Sequence, residues 1–448
     1  MRQVAVAIAE PAWDPPNPKE RRAWYLYDWG NSAFSTTVVT LFLGPYLTAI
    51  AKSAAGPDGL IHPLGIPIDP RSLWSYLISL SVITQVFLMP LIGSIADYGH
   101  KKKQMLGGLA YTGALATMAM FFVEGKDYQL GAATFLIANL TFGCSLVIYN
   151  SFLPEIAAPE DRNNVSSRGW GIGYLGGFLL LALNLVLFSN ATKLGISEGL
   201  AVRLSLASAG LWWAIFTIPA MLHLRNRAPL HDVPEGINLF TTGWQQFRRT
   251  LSGARQYPQT LLFLAAYLLY NDAIQTVIAL AGQFGADELH IPMSQLTLAI
   301  LMVQFVAFFG AESFNWIAKR TGAKRAVMGS LVIWTGTLIY IYVSVNSVTE
   351  FFVMAALVGT VMGGSQALSR SIYSLLIPKG EEAAYFSIYE ITDKGTSWMG
   401  PLVFGLTLQF TGQYRLAILS LIVFFVAGLA VLSRVDVAKG AHAVGQQE

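Results

Sequence analysis

Arg225–Gln256 reads RNRAPLHDVPEGINLFTTGWQQFRRTLSGARQ, and outside the two tails no other stretch of the chain is as long and as polar. On either side lie apolar runs of about 20 residues, each long enough to cross a bilayer as a helix. The stretch therefore separates two hydrophobic parts, Trp24–Leu224 and Tyr257–Ser433. Its second portion is patterned. Phe240, Trp244, Phe247 and Leu251 recur at helical spacing, while Arg248, Arg249 and Arg255 fall off that stripe. The pattern predicts an amphipathic helix. Such a helix suits an anionic membrane surface and suits packing on the rest of the protein equally well.

Working outward, the apolar runs fall at roughly 24–50, 73–96, 104–123, 130–153, 169–189 and 204–224, then at 258–284, 295–317, 326–345, 351–377, 385–410 and 416–433. The reading is an all-α polytopic membrane protein with about 12 transmembrane helices, six on each side of the polar stretch. Of the 448 residues, 54% are hydrophobic and 12% charged, about half the charge of a soluble domain. A net charge of +3 is too small to point to nucleic acid. The single cysteine, Cys144, excludes an intrachain disulfide and a cysteine-based zinc cluster. The division expected is a cytoplasmic tail 1–23, helices over 24–224, a cytoplasmic linker 225–256 carrying the amphipathic helix, helices over 257–433, and a cytoplasmic tail 434–448. Val4–Ala9 is too short for a signal-peptide core, and acidic and proline-rich sequence follows it, so the first tail is read as disordered.

Charge placement orients the chain. With the N-terminus in the cytoplasm, the links on that side hold Lys101, Lys102, Lys103, Arg225, Arg227, Lys319, Arg320, Lys324 and Arg325, among others. The opposite side holds only Lys52, Arg71, Lys126, Lys193, Arg203 and Arg415, which satisfies the positive-inside rule. An internal repeat supports two equivalent parts. Gly93–Lys103, GSIADYGHKKK, and Asn315–Arg325, NWIAKRTGAKR, align without a gap at matching places, each a short basic turn between two helices.

The first of these loops resembles the loop signature of the major facilitator superfamily, with Tyr98 and His100 departing from the pattern and Gly93, Asp97 and the lysines keeping it. Further stretches are more specific: Tyr27–Phe34 (YDWGNSAF), Tyr149–Glu155 (YNSFLPE), Gly169–Gly177 (GWGIGYLGG), Leu269–Asp272 (LYND), Ser365–Ser371 (SQALSRS) and Asp393–Pro401 (DKGTSWMGP). Together they resemble the vacuole-effluxer-like branch of that superfamily, which includes autophagy-related amino-acid effluxers. The resemblance runs from about Trp24 to Ser433. It implies two six-helix bundles around a central cavity and transport by alternating access. It also implies that Gly93, Asp97, Lys101 and Lys102 form a cytoplasmic gate, with Asp97 as a latch.

Charges inside a span are costly, so those present need a reason. Asp28 and Asn31 lie in the first run, Asn271, Asp272 and Gln275 in the seventh, Gln366 and Arg370 in the tenth, and Glu390, Asp393 and Lys394 in the eleventh. Each is either a structural ion pair, such as Asp28 with Arg370, or part of a substrate or proton site. Asp272 lies deepest and is assigned to the site, with Asn271, Gln275, Arg370, Gln366, Asp393, Lys394 and Asn31 as its candidates. Asp28, nearer the cytoplasmic boundary, is assigned to the gate. Glu155 and Glu312, near helix ends, read as structural. Pro45, Pro90 and Pro401 are expected to bend their helices.

The function read from this is secondary transport of a small polar metabolite, an amino acid, with a carboxylate available for proton coupling. An exporter of amphipathic compounds and a non-transporting sensor remain as alternatives. An enzyme is not expected: no metal-ligand spacing, no G-x-S-x-G and no phosphate-binding loop is present, so no metal or cofactor is assigned. The expected partners are the substrate, protons and the lipid of a bacterial inner membrane. Both termini are placed in the cytoplasm, and the chain is expected to act as a monomer.

Overall fold

The computed structural model describes residues 17–98, 101–157, 162–227, 253, 255–377, 388–389, 392 and 398–445. The chain is a bundle of long helices. They are α1 (Pro18–Ala54), α2 (Leu73–Tyr98), α3 (Lys102–Phe122), α4 (Tyr128–Ser151), α5 (Arg162–Ser189) and α6 (Glu198–His223). After the polar stretch come α7 (Pro258–Asp287), α8 (Met293–Thr321), α9 (Ala323–Ser344), α10 (Val348–Leu375), α11 (Met399–Thr411) and α12 (Tyr414–Ser433). Among the described residues, nine helical spans are long and apolar enough to cross a membrane. Leu73–Met89, Met293–Ala307 and Met399–Thr411 are apolar but shorter, and they occupy the second, eighth and eleventh runs of the sequence. An isolated bridge between Ile61 and Ile68, in the loop between α1 and α2, is the only β pairing among the described residues.

Local chemistry sets the helix ends. Asn17 accepts the Lys19 N–H, with Pro18 behind it and Glu20 in the first turn, so α1 starts earlier than the apolar run alone implies. Ser347 caps α10 through the Glu350 N–H, and Glu350 reaches back to the Asn346 N–H. Gly412, at φ +70°, closes α11 as only a glycine does readily. One expectation about the tails changes: Pro18–Arg22, read as disordered, are helical. Beyond α12 a short helix, Val437–Ala443, is capped by Asp436. The predicted amphipathic stripe, Phe240 to Leu251, lies outside the described residues.

The first six helices pack mainly on one another, and so do the last six. The pairings recur: α1 on α6 as α7 on α12, α2 on α4 as α8 on α10, α3 on α4 as α9 on α10, and α3 on α6 as α9 on α12. Between the two groups run α1 against α7, α2 against α11, and α5 against α8. Trp74, Trp213 and Trp334 are fully buried, whereas Phe87, Leu115, Leu183, Leu211, Phe305 and Phe410 stand exposed on the outside of the bundle. Single exposed apolar side chains occur on any protein, but long apolar helices that carry them along their outer faces suit lipid as their solvent.

In the middle of α1, Phe34–Phe42 is wound as a π-helix, the Leu43 N–H reaching the Val38 carbonyl. Wide turns of this kind are rare and concentrate at functional sites. Pro45, expected to bend the helix, has no N–H, so it removes the donor that the carbonyl of Thr40 or Leu41 would use in a wide or an ordinary turn. Gly282 of α7 faces these two carbonyls: a Cβ there would stand 2.7 Å from the Thr40 oxygen and 3.2 Å from that of Leu41.

Candidate functional site

Asp272 lies in mid-α7 and is 1% exposed. Its Oδ2 accepts the Gly400 N–H at 2.6 Å, and its Oδ1 has no hydrogen-bond partner among the described residues. Gly400 belongs to the first turn of α11, where backbone N–H groups and the helix dipole favour a negative charge. The contact depends on residue 400 being glycine. A Cβ there would stand 2.2 Å from Thr276 Oγ1 and 3.2 Å from the Asp272 carbonyl. Thr276, one turn along α7, donates to that carbonyl at 2.6 Å. The carboxyl group is thus fixed on one side and has one oxygen to offer on the other, within a helix that touches α1, α11 and α12.

Two residues before Asp272, the Tyr270 hydroxyl lies 2.6 Å from Ser369 Oγ of α10, and Ser369 in turn donates to the Ser365 carbonyl. This bond ties α7 to α10 at the depth where Asn271 on one helix and Arg370 on the other come directly after the bonded pair. Asn271 is 1% exposed, Gln275 and Gln366 are half-buried, and Arg370 is exposed. Tyr389 is intercalated beside them, its ring centroid 4.5 Å from that of Tyr267 and 5.0 Å from that of Tyr373.

The first half repeats the device. The Tyr27 hydroxyl donates to Ser145 Oγ of α4 at 2.8 Å, and Ser145 donates to the Phe142 carbonyl. Trp24 stacks directly on Tyr149 at 4.3 Å and 9°, its indole N–H bonded to the Tyr149 carbonyl. Asp28 comes after Tyr27 and lies against Gly173 of α5. Asn31 is 2% exposed, and its Nδ2 has no partner among the described residues.

At the end bearing the termini, Gly93 and Asp97 occupy the last turns of α2. Lys101 is exposed before α3, whereas Lys102 donates to Glu155 at 2.6 Å and lies over the Phe152 ring. Arg227 bonds both Glu155, at 3.4 Å, and Glu20, at 3.0 Å. Glu20 is buried and also accepts the Arg225 N–H. Glu155 therefore does more than close a helix: it joins the loop lysine to the first residues of the linker. Asp393 and Lys394 lie outside the described residues, as does Glu390.

Sequence reasoning did not find Gly400, Thr276, Glu20 or the two tyrosine–serine bonds. A signal for the bonds was present: an aromatic residue three positions before each tyrosine, Trp24 and Tyr267, and a tyrosine four positions after each serine, Tyr149 and Tyr373. Gly400 lies within the stretch Asp393–Pro401 singled out above, but its role, like that of Thr276, appears only when α7 and α11 meet.

Solved transporters share this fold. The nucleoside transporter NupG, as its D323A mutant, superposes with a TM-score of 0.68 over 92% of this chain and 99% of its own, at 14% identity. A bacterial homologue of the human lysosomal transporter Spinster, in an inward-facing and unoccupied conformation, superposes with a TM-score of 0.63 over 96% and 98%, also at 14% identity. The fold is that of the major facilitator superfamily; its family and relatives make the protein a membrane transporter, not an enzyme. Over residues 16–445 the chain matches the family described as "Vacuole effluxer Atg22 like", and it belongs to that family. It is 31% identical to the MFS-type transporter YxiO of Bacillus subtilis (strain 168), over 93% of this chain and 94% of that one. It is 27% identical to Autophagy-related protein 22-1 of Penicillium rubens, over 95% and 91%.

Proposed function

We propose that the chain is a secondary active transporter that moves a small polar metabolite bearing an amine, an amino acid, by alternating access, with Asp272 as the site that exchanges a proton or the substrate ammonium group. The observation that carries this reading is the Asp272 carboxyl group, buried in mid-span with Oδ2 held by the Gly400 N–H and Oδ1 unbonded among the described residues. A fixed, half-satisfied carboxyl group at that depth is costly unless a cation or proton completes it. Asn31 Nδ2 in α1 and Arg370 in α10 supply donors for the substrate carboxylate. The two helix groups, joined through 225–256, act as the two moving bundles. Asp97 and the Lys102–Glu155–Arg227–Glu20 chain form the gate at the end bearing the termini.

Reconstituted protein should accumulate at least one labelled amino acid in response to a pH gradient. Asp272→Asn should abolish that accumulation. Absence of uptake of every amino acid by active wild-type liposomes, or full gradient-driven uptake by Asp272→Asn, would overturn the assignment. The termini are placed in the cytoplasm of a bacterial cell. With Cys144 replaced, Lys193→Cys should react with an impermeant thiol reagent in intact cells and Gln256→Cys should not. The reverse pattern would invert the topology.

A further inference from the structure

The end of the bundle away from the termini is joined across the two halves by one hydrogen-bonded assembly, and an uncharged side chain stands at its centre. Gln283, near the end of α7, is 1% exposed. Its Nε2 donates to Thr48 Oγ1 at 2.9 Å and to the Arg71 carbonyl at 2.8 Å, both in the first half. The same nitrogen lies 3.2 Å from the Tyr414 hydroxyl oxygen of α12. Tyr414 donates its own proton to Asp287 Oδ2 at 2.6 Å, and Asp287 Oδ1 receives Lys52 at 3.0 Å. The Tyr414 hydroxyl thus stands between the two halves of the assembly, its proton on Asp287 and its oxygen against the Gln283 amide nitrogen.

Other contacts brace the same end. Arg71 donates to the Gly412 carbonyl at 2.8 Å while Asp69 holds its guanidinium from the other side. Those bonds to Asp69 push the Arg71 pKa further above its already high range, so the group stays charged. Ser72 donates to the Gly405 carbonyl, and Tyr76 to Gln409. Gly282, beside Gln283, sits against the Thr40 and Leu41 carbonyls. One stretch of α7 thus supplies Gly282, Gln283 and Asp287, all of which engage the first half.

We infer that Gln283 is the hub of a latch that keeps this face shut, and that the Lys52–Asp287 ion pair is its dispensable outer edge. The inference rests on the alternating-access reading. The two parts differ in burial. Lys52 is 45% exposed, and an ion pair with one partner in water contributes little. Gln283 and Tyr414 are 1% and 2% exposed, so their bonds have no water to replace them until the halves part. The latch also lies on the helix that carries Asp272. A shift of α7 on loading the site therefore acts on the latch without an intermediary element.

The test places spin labels at Lys126→Cys and Thr349→Cys, on opposite halves at this end, in protein with Cys144 replaced and embedded in lipid nanodiscs. Wild type should give one short distance. Gln283→Leu should raise a longer-distance population roughly tenfold, the shift expected when a buried hub loses its bonds. Tyr414→Phe, which removes only a hydroxyl, should shift in the same direction by a smaller factor. Lys52→Gln should stay within roughly twofold of wild type. Wild-type distances in both Gln283→Leu and Tyr414→Phe would overturn the latch, and so would an opening in Lys52→Gln as large as that in Gln283→Leu. The distances need no cargo. Loss of amino-acid uptake beside an intact distance shift would count against the proposed substrate alone.

Discussion

The two tyrosine–serine clamps share a scaffold and differ in the residues next to each tyrosine. In the first half Tyr27 bonds Ser145, and Trp24 lies flat on Tyr149. In the second Tyr270 bonds Ser369, and Tyr389 is inserted between the rings of Tyr267 and Tyr373. After Tyr27 comes Asp28, half-buried against Gly173, whereas after Tyr270 come Asn271 and Asp272, both 1% exposed. The bond and the stacked rings hold the first helix of each half on its fourth. The residues beyond the tyrosine are then free to differ: beside the second clamp stands the fully buried Asp272, beside the first the half-buried Asp28. The repeat carries the frame, while the chemistry lies where the repeat breaks.

The glycines that admit the neighbouring helix offer the strongest test of that comparison. A Cβ at Gly176 would stand 2.2 Å from the Trp29 carbonyl oxygen, a backbone atom that cannot move alone. A Cβ at Gly400 would meet Thr276 Oγ1 at the same separation, a side chain that can be removed. Gly176→Ala should therefore cost about 3 kcal/mol or more, at the upper end of overpacking penalties, with no single rescuing change. Gly400→Ala should cost about 1–3 kcal/mol and recover most of it in the Thr276→Ala background. Thermal unfolding of the detergent-solubilised variants reads both. Equal losses with no rescue would mean that α11 is as rigidly seated as α5.

A smaller effect separates scaffold from site. Tyr27→Phe and Tyr270→Phe each remove one buried hydroxyl and should lower stability by a similar amount, about 1 kcal/mol. Only Tyr270→Phe, adjacent to Asn271 and Asp272, should also weaken substrate binding measured by calorimetry. A matched loss of binding in Tyr27→Phe would place the site symmetrically between the halves and remove the distinction.

Much of this protein was legible in the sequence, for a definite reason. A lipid solvent demands long apolar helices with satisfied backbones, so the spans, their order and the polar stretch at Arg225–Gln256 follow from composition alone. The basic turns at Gly93–Lys103 and Asn315–Arg325 are equally local, and the scarcity of intramembrane charge singles out Asp272. Other features depend on which helices touch. Gly400 matters because α11 meets α7 at Thr276, and Glu155 because Lys102 and Arg227 reach it from two other segments. Gln283 is an ordinary polar residue near a helix end until Thr48, Arg71 and Tyr414 converge on it. Periodicity and hydropathy report how one helix meets its solvent. Hydrogen bonds between segments far apart in the chain report how helices meet each other, and only the tertiary structure decides that.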